Sequence, residues 1–261
     1  MNPKRVADLT VLLEENPISY YWMGFLMADG HFYKRGAIKL HLAEKDVSHV
    51  NKFGEYIKYT GKAKPNTINV MNPPVVWQIC DKFKISNKKT IEPCDLTGIK
   101  DDNLLLSLFV GFFDGDGSIY KNKKNKIRSA AIKVHSSWLP NLSIFENFLY
   151  CYFKKHRKYA TNLARLNNRG YALLILSDLS LLAAIKKKSL EFKLPIMKRK
   201  WDYVDERVEF NSHEKSEKRF DDILRMLNFG KSNKEISEVL GIGENSVYMY
   251  LRRNNLCQKF G

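Results

Sequence analysis

Two stretches of this chain repeat one another, and the repeat constrains the fold more than any other feature of the sequence. The string WMGFLMADG occupies residues 22–30, and FVGFFDGDG occupies residues 109–117. Each string is apolar, carries small residues, and ends in an acid followed by glycine. Repetition of a whole pattern within one chain indicates two copies of one structural unit. The chain is therefore expected to contain two related halves.

The similarity continues beyond the glycine that ends each string. Both copies contain a run of Ala, Ile, Lys, an apolar residue and His, at residues 37–41 and 131–135. Apolar and basic residues alternate in these runs, which predicts strands with one face in the core and one basic face in solvent. The basic faces are expected to carry Lys39, His41, Lys133 and His135.

Further elements are predicted after each run. A helix follows, then a second pair of short strands, then a basic helical segment. The second strand pair is predicted at residues 66–70 and 75–80 in the first copy, and at residues 160–166 and 171–177 in the second. Each copy then has the order helix, hairpin, helix, hairpin, helix, which is an α+β arrangement.

Charge and composition restrict the partners of the chain. It has 44 Lys and Arg residues against 28 Asp and Glu residues, and a net charge of +16. This excess favours a polyanion, with nucleic acid first and an acidic membrane surface second. The longest apolar runs fall short of the roughly 20 residues of a membrane span, and the first residues lack the apolar segment of a secretory signal. We expect no membrane insertion, and a location in the cytoplasm, an organelle matrix or the interior of a virus-infected cell.

The carboxy-terminal residues differ in character from the rest. A polar stretch at residues 206–216 is predicted to be a linker, and residues 217–261 carry three short apolar helical patterns. The sequence SNKE at residues 232–235 fits a capping box, and the glycine turn GIG precedes a helix predicted at residues 244–254. This pattern predicts a helix-turn-helix domain with that last helix as the recognition helix.

The small residues in the repeated strings predict how the two halves meet. On a helix, Gly24 and Ala28 share one face, as do Gly111 and Gly115. If the two helices pack there about a pseudo-twofold axis, the final acids, Asp29 and Asp116, come together at their carboxyl ends. Two carboxylates at negative helix ends need compensating positive charge, and a hard divalent cation such as Mg²⁺ meets that need.

With these strings, residues 15–205 resemble a single-chain LAGLIDADG homing endonuclease. The resemblance implies two αββαββα half-domains, residues 1–100 and 101–205, related by a pseudo-dyad, with two saddle-shaped antiparallel sheets in the DNA major groove. It implies a monomer that acts on a long double-stranded DNA target. It also implies Mg²⁺, with Mn²⁺ as a substitute, bound by Asp29 and Asp116 with help from the backbone carbonyls of Ala28 and Gly115.

The resemblance further implies one basic catalytic residue in each half. In the first half, the segment KISNKKT places Lys89 at that position. In the second half, LPIMKRKWDY is one residue short of the family spacing, so Lys198, Arg199 and Lys200 compete, with a slight preference for Lys198. The strings also differ at one position, because the first has Met27 where the second has Asp114. Since that earlier acid is not the principal metal ligand of the family, catalysis is expected to depend on the final acids.

Basic and polar residues on the expected outer surfaces are the candidates for DNA contact. Those of the two halves are Lys39, His41, Lys121, Lys123, Arg128, Lys133 and His135. Those of the recognition helix are Asn245, Ser246, Tyr248, Met249, Arg252 and Arg253.

Three functions compete at this level. The first is a site-specific, metal-dependent endonuclease that makes a staggered double-strand break with short 3′ overhangs. The second is a transcription regulator with a degenerate LAGLIDADG fold and a helix-turn-helix, and the third is an intron RNA maturase. The presence of both final acids favours the endonuclease, because such regulators typically lack them.

Overall fold

In the computed structural model, the described part of the chain comprises residues 7–61, 65–123, 127–153, 164–205 and 211–253, without the side chains of residues 211–218 and 252–253. The chain divides into two compact units, Met1–Arg207 and Val208–Gly261. Unit 1 carries both copies of the repeat, and unit 2 carries the carboxy-terminal helices. Within the described ranges, every helix is too short or too polar to span a lipid bilayer.

The first half of unit 1 places three described strands beside its helices. Its elements are α1 (Pro17–Asp29), β1 (Gly30–Tyr33), β2 (Ala37–His41), α2 (Val47–Tyr56), β3 (Thr67–Met71) and α3 (Pro73–Lys82). The strands form an antiparallel sheet in the order β1-β2-β3. Lys39 pairs with His31 on one side and with Asn69 on the other, so these three side chains share the outer face of the sheet.

The second half follows a similar order, with one more described strand and one more helix at its end. Its elements are α4 (Asp102–Asp116), β4 (Gly117–Lys121), β5 (Ile127–Val134), α5 (Leu139–Tyr152), β6 (Arg165–Leu166), β7 (Ala172–Leu176), α6 (Leu179–Glu191) and α7 (Lys198–Trp201). The strands form a four-stranded antiparallel sheet in the order β4-β5-β7-β6. The expected α+β architecture with two antiparallel sheets is confirmed, and the described second half shows the predicted αββαββα order.

One predicted strand of the first half is wrong. Residues 75–80 lie within helix α3, not in a strand. Two prolines occupy the first turn of this helix, where proline fits well, and Val76 and Ile79 point into the core three residues apart. The short apolar run satisfied both a strand and a helix pattern, and the tertiary core selected the helix.

The two repeated strings form the central helix pair. Residues 19–27 of α1 and residues 104–114 of α4 are all buried, as expected for helices that are apolar on every side. A Cβ atom at Gly24 would lie 2.0 Å from the carbonyl oxygen of Leu108, and one at Gly111 would lie 1.9 Å from that of Tyr21. The helix backbones therefore touch where the sequence places its small residues, which confirms the predicted packing face.

Unit 2 contains helices α8 (Asn211–Asn228), α9 (Asn233–Leu240) and α10 (Glu244–Arg253). Its core consists of Ile223, Ile236, Val247 and Leu251. Ser232 and Glu235 form the predicted capping box, and Gly241 ends α9 with a positive φ of 60°. Helix α8 begins at Asn211, so residues 211–216 are helical although the sequence predicts a linker there.

Candidate functional site

The two final acids of the repeated strings lie side by side at the carboxyl ends of α1 and α4. Asp29 and Asp116 are the last residues of their helices, and the following glycines begin the strands β1 and β4. A Cβ atom at Gly115 would lie 2.3 Å from Cβ of Ala28 and 3.5 Å from Oδ2 of Asp29. Glycine at position 115 is therefore required for this close approach.

The two carboxyl groups lie close enough for the charge of Asp29 to affect the ionisation of Asp116. The pKa of Asp116 is raised from 3.8 to about 6, first by burial and second by the negative charge of Asp29. Burial also raises the pKa of Asp29, although its side chain remains open to solvent on one side. Nearby lysines act in the opposite direction on both acids. Burial is thus the main reason that the two carboxyl groups resist ionisation, and for Asp116 the charge of Asp29 adds to it.

Two lysines, one from each half, reach the ends of the same helices. Lys89 donates from Nζ to the carbonyl oxygens of Met27 at 2.7 Å and Ala28 at 2.6 Å. Lys200 donates from Nζ to the carbonyl oxygens of Phe113 and Gly115, both at 3.0 Å, and also to that of Asp114. An ammonium at the carboxyl end of a helix is favoured by the helix dipole and by the unpaired carbonyls there.

The three consecutive basic residues of the second half occupy different positions. Lys200 is buried and corresponds in its contacts to Lys89 of the first half. Lys198, the slightly preferred candidate, has an exposed side chain, and Arg199 forms an ion pair with Asp46. The structure thus places Lys200, not Lys198, beside the carboxylates. Burial lowers the pKa of Lys89 and lowers that of Lys200 to about 8.

The earlier acid of the second string has a structural role. Asp114 is fully buried, and its carboxylate accepts hydrogen bonds from the Tyr21 hydroxyl at 2.7 Å, the Met197 N–H at 2.8 Å and the Trp201 indole at 2.7 Å. At the equivalent place in the first half, Met27 Sδ lies 3.5 Å from Cys94 Sγ. An acid within an apolar string signals a buried hydrogen-bond network, but its donors are distant in sequence and only the fold reveals them.

The donor set at the helix ends fits a hard divalent cation. It consists of the two Asp carboxylates and the backbone carbonyl oxygens of Ala28 and Gly115, all of them oxygen ligands. In the part of the chain that the structure describes, no group of three or more His, Cys, Asp or Glu side chains could hold a metal ion. A metal at this site would therefore depend on two carboxylates and on oxygen donors other than side-chain acids.

The predicted DNA-contacting residues of the first half lie on the outer face of its sheet. Lys39 is half-buried there, and His41 is exposed with Nδ1 2.7 Å from the Thr67 hydroxyl. Tyr33 continues this face, with the Arg35 guanidinium over its ring. A basic and aromatic surface thus covers this sheet.

The predicted residues of the second half are spread more widely. Lys133 is exposed on β5 and lies over the ring of Tyr171. His135 was expected on the same strand face, but β5 ends at Val134, and His135 instead caps the following 3-10 turn by accepting from the Ser137 N–H. The other basic candidates lie at the hairpin between β4 and β5: Lys121 is half-buried against Tyr203, and Lys123 and Arg128 are exposed.

The recognition-helix candidates of unit 2 lie on the solvent side of α10. Asn245, Ser246, Tyr248 and Met249 are exposed, whereas Val247 and Leu251 face the core. Arg252 and Arg253 belong to the last turn of α10, and their side chains lie outside the described part of the chain.

Comparison with known proteins gives two kinds of likeness. Residues 218–261 match the family of bacterial regulatory proteins described as the luxR family, and this match lies within unit 2. Comparison with curated proteins gave no match. The solved structures that resemble the chain include those of a LAGLIDADG homing endonuclease, of a meganuclease and of a WhiA protein.

The crystal structure of the LAGLIDADG homing endonuclease I-GzeII in complex with DNA target has a TM-score of 0.47 and 14% identity, covering 87% of this chain and 97% of that chain. The meganuclease I-SmaMI bound to uncleaveable DNA has a TM-score of 0.47 and 14% identity, covering 82% of this chain and 92% of that chain. Full-length DUF199/WhiA from Thermatoga maritima has a TM-score of 0.43 and 14% identity, covering 97% of this chain and 96% of that chain.

Proposed function

We propose that this chain is a divalent-metal-dependent DNA endonuclease that cuts both strands of a long, specific site and leaves short 3′ overhangs. The observation that carries the proposal is the pairing of Asp29 and Asp116, each with a lysine at the end of its own helix. Two equivalent sets of groups in one chain provide one set for each DNA strand. The enzyme would accordingly act as a monomer.

In this proposal Asp29 and Asp116 hold Mg²⁺, or Mn²⁺ in its place, beside the carbonyl oxygens of Ala28 and Gly115. When bound, the metal supplies Lewis-acid stabilisation of the negative charge that develops at the scissile phosphate. The carboxylates must be ionised to bind it, so activity is expected to rise with pH through the Asp116 pKa of about 6.

The lysines contribute charge and a proton in the same scheme. The ammonium groups of Lys89 and Lys200 stabilise negative charge on the phosphate oxygens. Because the pKa of Lys200 is lowered to about 8, its Nζ can release a proton to the leaving 3′ oxygen more readily than an ordinary lysine. In either role the lysine Nζ exchanges a hydrogen bond to a helix-end carbonyl oxygen for one to the phosphate or to the leaving oxygen.

DNA binding in this proposal combines two surfaces. The sheet faces with Lys39, His41 and Lys133 contact the duplex next to the scissile phosphates. The exposed side of α10, including Asn245 and Tyr248, provides a second contact that adds affinity through the tether between the units. The net charge of +16 favours association with the phosphate backbone.

Cleavage of a DNA library with randomised sites, with and without Mg²⁺, tests the proposal and reports the target sequence. We expect cut ends only with the metal. Asp29→Asn and Asp116→Asn should each lose about a hundredfold or more in double-strand cleavage while retaining DNA binding in a gel shift. Asp81→Asn, at an exposed acid of α3, is the matched control and should cut normally. Absence of cutting by the wild type, or full cutting by either site variant, would overturn the assignment.

A transcription regulator is the second candidate, and the match of residues 218–261 to a regulatory family is the observation that favours it. Such a protein would bind a specific DNA site and would not cut it in Mg²⁺ or Mn²⁺. A binding selection from the same library separates the two functions, because a site that is bound specifically but stays uncut in Mg²⁺ and in Mn²⁺ identifies a regulator.

A further inference from the structure

The segment that carries Lys89 is held in place by the opposite half of unit 1. The Trp138 indole donates to the carbonyl oxygen of Lys89 itself at 3.0 Å. The Asn141 amide donates to the carbonyl oxygen of Cys94 at 2.8 Å, further along the same segment. Both donors belong to the second half, and both are buried. Turns within the first half shape the backbone around Lys89, and the second half supplies two further hydrogen bonds that hold it.

The segment that carries Lys200 is held in the reverse manner. The Arg199 guanidinium donates to the carboxylate of Asp46, with Nη2 at 2.9 Å from Oδ2. Lys52 donates from Nζ to the carbonyl oxygens of Pro195 at 3.3 Å and Ile196 at 3.2 Å. Asp46 and Lys52 belong to the first half, so each lysine segment depends on its counterpart half.

One contact residue of each half, Asp46 or Trp138, occupies an equivalent place in the two copies. Asp46 is the last residue of the 3-10 turn Glu44–Asp46 that precedes α2, and Trp138 is the last residue of the turn Ser136–Trp138 that precedes α5. One position in the repeat thus faces the opposite lysine segment in both halves, through an ion pair in one case and an indole N–H in the other. The two side chains differ in chemistry but both contact the lysine segment of the opposite half. This indicates that the contact between the halves, and not one particular side chain, is common to the two copies.

We propose that each lysine of the candidate active site is positioned by the half that does not carry it: Lys89 by Trp138 and Asn141, and Lys200 by Asp46 and Lys52. These four are positioning residues, because they act on the backbone next to the lysines or on the neighbouring Arg199. The inference builds on the proposed function. It implies that cutting of each DNA strand depends on both halves, so that neither half can cut a strand alone.

The variants are chosen to remove one contact and little else. Trp138→Phe removes the indole N–H and keeps a ring against Phe112, whose centroid lies 4.8 Å away. Asp46→Asn removes the charge that pairs with Arg199. Trp77→Phe is the matched control, because its indole donates at 3.4 Å to the carbonyl oxygen of Lys34 on an exposed surface.

Amine labelling followed by mass spectrometry tests positioning without DNA or metal. Above the lysine pKa values, the labelling rate reports how well each Nζ is held. Trp138→Phe is expected to raise the rate of Lys89 about threefold or more and to leave Lys200 unchanged, and Asp46→Asn is expected to do the reverse. Equal changes at both lysines, or none, would overturn the proposal. If Trp138→Phe does not fold, Asn141→Leu tests the positioning of Lys89 in its place.

Strand-resolved cleavage is the second readout. Each variant is expected to slow cutting of one strand by about ten- to a hundredfold, with nicked DNA accumulating and DNA affinity unchanged. Trp138→Phe and Asp46→Asn should slow opposite strands, and equal slowing of both strands would contradict reciprocal positioning. If the wild type cuts no DNA, the proposed function fails, and the labelling result alone decides whether the lysines are positioned in this way.

Discussion

Replacement of Asp116 by asparagine is expected to stabilise unit 1 near neutral pH in the absence of metal. The carboxyl has a pKa of about 6 in the folded protein against an ordinary value of 3.8. A difference of about two pKa units corresponds to about 3 kcal/mol. Because the side chain is partly exposed, solvent screening reduces this, and we expect a gain of about 1 to 1.5 kcal/mol.

The effect should depend on pH in a defined direction. A folded pKa above the unfolded one means that the folded protein keeps a proton that the unfolded chain releases between about pH 4 and 6. The stability of the wild type relative to the variant is therefore lost as pH rises through about 6. Below about pH 4 both states are protonated, and the difference should vanish.

Urea unfolding followed by tryptophan fluorescence measures this difference. All four tryptophans lie in unit 1, so the signal reports that unit alone. The measurement is made with a chelator at several pH values, and Asp81→Asn is again the control. A wild type that is more stable than Asp116→Asn at pH 7, or a difference that does not change with pH, would refute the reasoning that burial and the nearby charge of Asp29 raise the pKa of Asp116.

Three further predictions follow from the same contacts. At a hundredfold excess over its Kd, Mg²⁺ should add about 2.7 kcal/mol to the free energy of unfolding of the wild type, seen as a higher melting temperature. It should not raise the melting temperature of Asp116→Asn. Gly111→Ala should cost about 3 kcal/mol or more in a urea titration, because its Cβ would meet the Tyr21 carbonyl oxygen, whereas Gly98→Ala, with nothing within 4 Å, should be tolerated. Ser232→Ala should cost about 1 kcal/mol in unit 2, measured by faster amide hydrogen exchange in α9; unchanged exchange would exclude the capping role.

Much of the fold could be predicted from the sequence because the relevant signals are local. The alternation at residues 37–41 and the capping box at Ser232 each depend on neighbours a few residues away, and both are confirmed. The strand predicted at residues 75–80 is wrong because a six-residue apolar run fits two periodicities. His135 is displaced from its strand because the end of a strand is set by a capping hydrogen bond that the repeat does not reveal.

The candidate site likewise has a part that the sequence predicts and a part that only the tertiary structure shows. The sequence by itself determined that two glycine-containing helices would pack together and bring Asp29 to Asp116, because small residues at a spacing of four allow only that face to approach closely. Only the tertiary structure decided which of three consecutive basic residues reaches the helix end. Lys198 and Lys200 lie in the same short basic run, so no local pattern distinguishes them. They differ in the direction in which α7 points their side chains. That direction is held by contacts of α7 and its flanking residue Met197 with Asp46 and Asp114, which are far away in the sequence.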